Sequence, residues 1–439
     1  MLLRNPLAGT ARSIGRGALI AWLSASVLPQ FGYTAPPAGQ SPPAPAGRAE
    51  RWRQDLHYLA TELPQRHQHL FSRISREQFE QAVAALDNSI PALADDEVAF
   101  GMMRLVASVA DSHTTLDPWS EESFRVFPLR LYWFRDGLYV TRTIPSYRRA
   151  LGARLTAIGD TPVDQAYAAV SALISHENDA QLKHRSPGLL TAPDALHALH
   201  LLPSAKGGRF VFADAHGATF ALDLTPISAD ASTAWIDALA PSTQQPPLHM
   251  RNRRAFYWFE YLEDSQTIYV QYNRCMDMRG KPFRDFCAEV LAVVDARPLK
   301  RFILDLRYNS GGSSPLAQPL ISGLSERPAI NRRGALFVVV GRQTFSSAVL
   351  NAIDLRNSTR AIFVGEPTGG KPNHYGEVRS FRLPNSGFLV TYSTKYFAHS
   401  KQDTPSFMPD LLVEPTFADY QAGRDPLLET ILAYREDAR

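Results

Sequence analysis

Three short apolar runs in the C-terminal half of the chain predict buried strands. They span residues 301–306, 335–340 and 361–364 and are rich in β-branched and aromatic side chains, as expected for strands covered on both faces. Residues 347–356, between the last two runs, have the spacing of an amphipathic helix. Strand, helix and strand with short links predict a right-handed crossover, so the loops that follow these strands share the carboxyl edge of one sheet. We assign this domain to residues 263–439.

Residues 50–110 have a different pattern, with apolar side chains at helical spacing. Asp95 and Asp96 are suitable residues to open the last of these helices, because acidic side chains favour a helix N-terminus. The pattern therefore predicts a helical cap over residues 49–118.

Residues 119–262 show short apolar alternations with turn signals at Asp136-Gly137 and Gly159-Asp160, which predict a β-rich segment. Within it, residues 151–163 and a following helix to about Ile174 resemble part of a PDZ module. Such a module would bind a chain end by strand addition. A simple β-rich spacer under the cap is the alternative.

The N-terminus combines Arg4, Arg12 and Arg16 with an apolar run over residues 18–28. This arrangement is typical of a secretory signal, which we place at residues 1–28, and an uncleaved anchor is the alternative. Residues 29–48 are rich in proline and alanine and predict a linker. We therefore expect an exported protein, periplasmic or secreted, with membrane contact at most through its leader.

Composition narrows the classes of partner. The chain has 439 residues and a net charge of +3, which the three leader arginines account for, so no basic patch indicates nucleic acid. Cys275 and Cys287 lie near no His or Cys cluster with metal-ligand spacing, and we expect neither a metal nor a cofactor. The sequence leaves open whether these two cysteines pair.

Three loops at the predicted sheet edge carry groups suited to acyl transfer. Ser346 precedes the helix, Lys371 follows the third strand, and Gly311 and Gly312 follow the first. A serine becomes a nucleophile when a base takes its proton, and backbone N–H groups stabilise the oxyanion that forms. The N–H of Ser347 and that of Gly311 or Gly312 are the candidate donors. Lys371 could be the base only with its pKa lowered from about 10.4 to near neutrality.

These motifs resemble those of the tail-specific, or C-terminal processing, serine proteases. Residues 305–312 are similar to that family's Asp-Leu-Arg-x-Asn-x-Gly-Gly loop, and residues 365–371 to its Gly-Glu-x-Thr-x-Gly-Lys loop. Residues 408–416 resemble its closing Pro-Asp segment. The resemblance implies an α+β protein with a ClpP/crotonase-like catalytic core. It also implies a peptidase that cleaves protein or peptide substrates of the exported compartment with a Ser346/Lys371 dyad.

The chain departs from the family pattern at both catalytic positions. The family often has Ser-Ala-Ser-Glu where this chain has Ser-Ser-Ala-Val from residue 346, so the choice between Ser346 and Ser347 stays open. Asp111-Ser112-His113-Thr114 resembles the family's Asp-x-His-Thr turn, and in tricorn-type proteases a Ser-His pair in the corresponding region supplies the base. His113 is thus a rival to Lys371, unless it only fastens the cap, and His374 is a second rival. Asn373 and His374 are the candidate substrate-binding residues.

Two other functions fit parts of the sequence. Residues 365–371 satisfy most of the phosphate-binding P-loop pattern, but Pro372 stands where that pattern needs a hydroxyl for magnesium. An inactive relative that binds a peptide or hydrophobic ligand in the same cleft is the second alternative. Retention of the hydroxyl, the amine and the glycine pair favours the enzyme.

Overall fold

The computed structural model describes residues 47–119, 124–228, 233–239 and 246–436. The predicted secretory leader and most of the predicted linker lie outside these ranges. Within them, no helix combines the length and the apolar character that crossing a membrane requires.

Three helices form the cap, as the apolar spacing predicts: α1 (Arg48–Arg66), α2 (Arg76–Ser89) and α3 (Asp95–Ala107). Ser75 and Gln78 form a capping box at the start of α2, which satisfies two otherwise unpaired N–H groups. Leu59, Phe79 and Met102 are fully or almost fully buried where the helices meet. The chain then turns through residues 111–114 into the short strand β1 (Thr115–Asp117).

The middle segment contains a twisted sheet with a helical insertion. Its strands are β2 (Leu129–Phe134), β3 (Gly137–Thr143), β4 (Arg154–Ile158), β5 (Thr161–Pro162), β6 (Gly208–Ala213), β7 (Thr219–Leu224) and β8 (Ile236–Asp237), and its helices are α4 (Val163–Ser171), α5 (Asp179–Leu189) and α6 (Pro193–Ala198). The main sheet order is β2-β3-β4-β6-β7. Three consecutive helices make this segment less uniformly β than the alternation predicts. Pro187 and Gly188 lie inside α5, and both residues weaken the helical signal of a sequence.

The C-terminal part forms a mainly parallel sheet with helices on both faces. Its elements are α7 (Leu248–Arg251), β9 (Tyr257–Leu262), β10 (Thr267–Tyr272), α8 (Phe283–Ala296), β11 (Arg301–Asp305), α9 (Gln318–Ser325), β12 (Leu336–Val340), α10 (Ser347–Ser358), β13 (Ile362–Gly365), β14 (His374–Arg382), β15 (Leu389–Phe397), β16 (Leu411–Leu412), α11 (Phe417–Gln421) and α12 (Pro426–Ala433). The sheet order is β16-β13-β12-β11-β10-β9, and only β9 is antiparallel to its neighbour. The three predicted strands and the crossover helix α10 are confirmed.

A second sheet joins the cap to this core. Strand β1 pairs with β15, with Thr115 opposite Thr391, and β15 pairs with β14. Phe381 and Val390 of that sheet are buried against cap residues such as Leu105. The turn at residues 111–114 is therefore fixed to this second sheet, because β1 follows it directly.

Candidate active site

The three loops predicted to meet at the sheet edge do meet. A Cβ placed on Gly311 would lie 2.8 Å from Cβ of Ser346 and 3.0 Å from N of Ser347, and a Cβ on Gly370 would lie 3.0 Å from N of Ser346. Only residues without a side chain allow such an approach of one backbone to another. Loops from β11, β12 and β13 thus surround Ser346.

Ser346 has the backbone conformation of a sharp strand-to-helix turn. Its φ is +51° and its ψ is −128°, a strained combination for a residue with a side chain and one that persists mainly at functional sites. Its hydroxyl caps no helix N–H, and we find no hydrogen-bond partner for it among the described residues. A serine on such an elbow presents a free hydroxyl at the top of a sheet.

Ser347 is the weaker candidate of the two adjacent serines. It is buried, and its Oγ donates a 2.6 Å hydrogen bond to the carbonyl oxygen of Gly312. This contact ties the start of α10 to the glycine loop. Ser347 can therefore contribute its backbone N–H to the site while its side chain has a structural role.

The hydrogen bonds of the glycine loop show which of its two N–H groups, that of Gly311 or that of Gly312, is available to an oxyanion. The N–H of Gly311 donates to Oδ1 of the fully buried Asn309 at 2.9 Å, and the carbonyl of Gly311 accepts from Cys275 N. In the described part of the chain, the N–H groups of Gly312 and Ser347 have no acceptor. These two groups are consequently the pair available to an oxyanion. Asn309, which sets the loop conformation, was not singled out from the sequence, although an Asn two residues before a glycine is a turn signal.

Lys371 forms an ion pair that the sequence does not indicate. Its side chain is almost fully buried, and Nζ lies 2.8 and 2.9 Å from the two carboxylate oxygens of Asp403. The ion pair engages the ammonium of Lys371, which has three donors and no lone pair that could take a proton. This arrangement does not match the neutral amine that a Ser346/Lys371 dyad requires.

His113 is buried beside Phe345 with both ring nitrogens unpaired. Its ring stacks on Phe345, the residue before Ser346, with 4.5 Å between centroids, and on His374 with 5.3 Å. Burial lowers the pKa of His113 to about 3, with a further contribution from His374, while Asp111 opposes the shift. The imidazole is therefore neutral at physiological pH. Buried polar atoms are normally hydrogen-bonded, so a buried imidazole with two unpaired nitrogens is a candidate functional group.

Asp111 holds the turn that carries His113. Its carboxylate accepts hydrogen bonds from Thr114 Oγ1 (2.5 Å), Ser393 Oγ (2.6 Å) and His67 Nε2 (2.9 Å). Burial alone would raise the pKa of Asp111, but these hydrogen bonds and the proximity of His113 lower it to about 2. The Oδ1 atom lies 4.0 Å from Nδ1 of His113. A permanent negative charge therefore stands beside the imidazole.

His374 and Asn373, the other two candidate site residues, make hydrogen bonds mainly to the backbone of nearby loops. Nδ1 of His374 donates to the carbonyl of Lys371 at 2.7 Å, and its ring lies between those of His113 and Phe397. Asn373 donates to the carbonyl of Ser400 and accepts from two backbone N–H groups of the same loop. Asn373 thus fastens this loop, and its contact with substrate stays a prediction, whereas the ring of His374 lies against that of His113.

The structure forms neither a phosphate loop at residues 365–371 nor a disulfide between Cys275 and Cys287. The chain after Lys371 continues into strand β14 and not into a helix, so it lacks the helix N-terminus that a P-loop uses. Cys275 and Cys287 are both buried and free. Among the residues that the structure describes, no group of His, Cys, Asp and Glu is arranged to hold a metal ion.

The fold matches that of solved structures. Mature CPAF complexed with lactacystin gives a TM-score of 0.54 at 12% sequence identity, over 87% of this chain and 97% of that chain. A second structure of mature CPAF gives 0.54 at 14% identity over 87% and 96%, and a serine-to-alanine mutant of CPAF gives 0.55 at 12% identity over 89% and 99%. No protein-family model and no curated protein matches the sequence. The chain therefore has the mixed α+β fold of CPAF, and the predicted fold class is confirmed.

Proposed function

We propose that this protein is a serine-type peptidase that cleaves protein or peptide substrates. Ser346 is the nucleophile, the N–H groups of Gly312 and Ser347 form the oxyanion hole, and His113 is the general base. The observation that carries the proposal is a free hydroxyl on a strained turn, beside two free N–H groups and an unpaired, buried imidazole.

The reaction follows from these groups. His113 takes the proton of the Ser346 hydroxyl while Oγ attacks the carbonyl carbon of the scissile peptide bond. The negative oxygen of the tetrahedral intermediate accepts hydrogen bonds from Gly312 and Ser347, and the helix dipole of α10 adds to its stabilisation. The C–N bond then breaks, and the leaving amine takes the proton from His113. A water molecule, activated by the same imidazole, releases the acyl group and restores the serine.

The histidine is a better base than the lysine in this arrangement. Its ring is neutral and unpaired, whereas the Lys371 ammonium is held by Asp403. A buried imidazole is costly to protonate, but Asp111 lies 4.0 Å away and lowers that cost when the imidazolium forms. Lys371 and Asp403 then act on the shape of the loop that borders the site.

The fold supports the same class of activity. CPAF, whose fold this chain shares, is a serine protease, and the motifs at residues 305–312 and 365–371 resemble those of the tail-specific proteases. We propose a divergent relative of these enzymes in which a histidine replaces the lysine as base. Export through the leader at residues 1–28 stays part of the proposal, and N-terminal sequencing of the protein from the periplasmic fraction would test it.

Cleavage of an unfolded protein such as casein, combined with labelling by a fluorophosphonate, tests the assignment. We expect labelling and cleavage by the wild type and by Ser347→Ala, since that variant loses only the contact with Gly312. Ser346→Ala should lose both signals. Labelling of Ser346→Ala equal to that of the wild type would remove this residue from the mechanism, and an unlabelled wild type would favour a ligand-binding relative.

A further inference from the structure

Two adjacent residues of the middle segment reach into the candidate site. Glu177 and Asn178 precede helix α5, and Asn178 is its N-cap, with Oδ1 accepting from the N–H of Gln181 at 2.9 Å. The side chains of these two residues also contact three other parts of the chain. We call these parts the His113 turn (residues 111–114), the Lys371 loop (residues 366–373) and the Asp403 loop (residues 403–407).

Glu177 is bound to the His113 turn. Its Oε2 accepts a 2.6 Å hydrogen bond from Oγ of Ser112, the residue before His113. A hydrogen bond from a hydroxyl to a carboxylate is short and comparatively strong. The contact therefore adds a restraint on the turn to those of the Asp111 network.

Asn178 is bound to the other two loops. Its Nδ2 donates to the carbonyl of Pro405 at 2.7 Å, of Gly369 at 3.1 Å and of Thr368 at 3.3 Å. The side chain is buried, so loss of this amide would leave loop carbonyls without a donor, at a cost in free energy. One amide thereby joins the Lys371 loop to the Asp403 loop.

We propose that Glu177 and Asn178 are positioning residues of the peptidase, which hold the His113 turn and the Lys371 loop in place around Ser346, and that ionisation of Glu177 tunes the base. The inference rests on the proposed function and adds to it a contribution from the middle segment. No other pair of neighbouring residues in the described ranges makes side-chain hydrogen bonds to all three loops.

The surroundings of Glu177 place its titration near neutral pH. Burial raises the pKa of Glu177 to about 7; Asp111 also raises it, whereas the Ser112 hydrogen bond, Lys371 and Arg73 lower it. Tyr396, whose own pKa is raised mainly by burial, also feels the charges of Glu177 and Asp403. The groups that act on Glu177 are thus Ser112 and Asp111 on the turn, Lys371 on its loop and Arg73, and Tyr396 lies within reach of its charge.

The direction of the pH effect follows from charge. An ionised Glu177 places a negative charge next to the His113 turn and favours the imidazolium that forms when Ser346 loses its proton. The rate should therefore rise as Glu177 loses its proton. His113, with a pKa of about 3, is already neutral in this range and does not produce the step.

The pH profile of kcat tests Glu177. We expect the wild-type kcat to rise about tenfold through a transition near pH 7. A tenfold change corresponds to a shift of one pKa unit in His113 between the protonated and the ionised state of Glu177. Glu177→Gln keeps an acceptor for Ser112 but cannot ionise, and it should lose that transition. A Glu177→Gln profile identical to the wild-type profile would overturn the role of its charge.

Hydrogen exchange tests Asn178 without any need for activity. Asn178→Ser keeps a good N-cap but is too short to reach the three carbonyls. We expect faster exchange in the Lys371 and Asp403 loops, by about tenfold or more, together with a lower kcat. Ser75→Ala, which removes only the cap of α2, should leave these loops unchanged. Unchanged exchange in Asn178→Ser would overturn the positioning role, whereas altered exchange in a protein that cleaves nothing would contradict only the proposed function.

Discussion

Replacing Gly311 by alanine tests directly how closely the glycine loop supports the nucleophile. Gly311 has a φ of +101°, a conformation that residues with a side chain rarely adopt. The added Cβ would lie 2.8 Å from Cβ of Ser346 and 3.0 Å from both N of Ser347 and the carbonyl oxygen of Phe345. None of these atoms is the end of a flexible side chain, so the Ser346 elbow or the glycine loop has to shift.

The expected magnitude has two parts. The backbone strain costs on the order of 1–3 kcal/mol of folding stability. The displacement acts on catalysis, because a shift of about 1 Å in a reacting group lowers the rate about 100-fold. The new methyl group would also cover the Ser347 N–H, one of the two proposed oxyanion donors. We therefore expect kcat/KM for casein-derived peptides to fall at least about 100-fold.

Gly217→Ala is a matched control for strain. Gly217 has a φ of +82° in the turn between β6 and β7, and a Cβ there would meet no heavy atom within 4 Å. Thermal unfolding of Gly217→Ala should show the loss that backbone strain alone causes, and Gly311→Ala should lose at least as much because its Cβ also displaces neighbouring atoms. Hydrolysis should fall only in Gly311→Ala. Wild-type hydrolysis by a folded Gly311→Ala protein would refute the placement of the oxyanion hole.

Three further predictions concern the base and its turn. His113→Phe keeps the stacking on Phe345 but should lower kcat at least about 1,000-fold. Lys371→Met should lower kcat less. If steady-state assays gave the reverse order, they would support the Ser346/Lys371 dyad. Because the folded-state pKa of His113 is depressed, its contribution to stability is present above pH 6.5 and is lost as the pH falls, by about 3 kcal/mol between pH 7 and pH 4. Denaturant titrations of His113→Phe should lack this loss. Asp111→Asn should lower the free energy of unfolding at pH 7 by about 2 kcal/mol, since the carboxylate accepts hydrogen bonds from His67 and Thr114. An unchanged free energy of unfolding would contradict the role of Asp111 in holding the turn.

The parallel core could be predicted because its signals are local. Strands β11, β12 and β13 begin and end within one residue of the apolar runs, and α10 occupies the predicted crossover. Short links and crossover handedness then suffice to bring Ser346 and the glycine loop together. The helices inside the middle segment were less apparent, because Pro187 interrupts the helical pattern of α5.

The partners of the site residues could not be predicted in the same way. Asp403 pairs with Lys371 across 32 positions, and Asn178 reaches Pro405 across 227 positions. Such contacts depend on the conformations of the loops in the folded protein. Neither hydrophobic periodicity nor a short motif predicts those conformations. The choice between lysine and histidine depended on one such contact.

The same contacts explain why the site has parts from all three regions of the chain. The proposed nucleophile and oxyanion donors belong to the parallel core, whereas His113 lies at the end of the cap. It is held there by Thr391, whose Oγ1 donates to the carbonyl of His113 at 2.9 Å. Glu177 and Asn178 add contacts from the middle segment. A base delivered by a separate layer is correctly placed only when cap, core and middle segment are docked together. Activity should therefore be lost at lower denaturant concentrations than the secondary structure of the parallel core, because docking contacts between layers open before a buried sheet does.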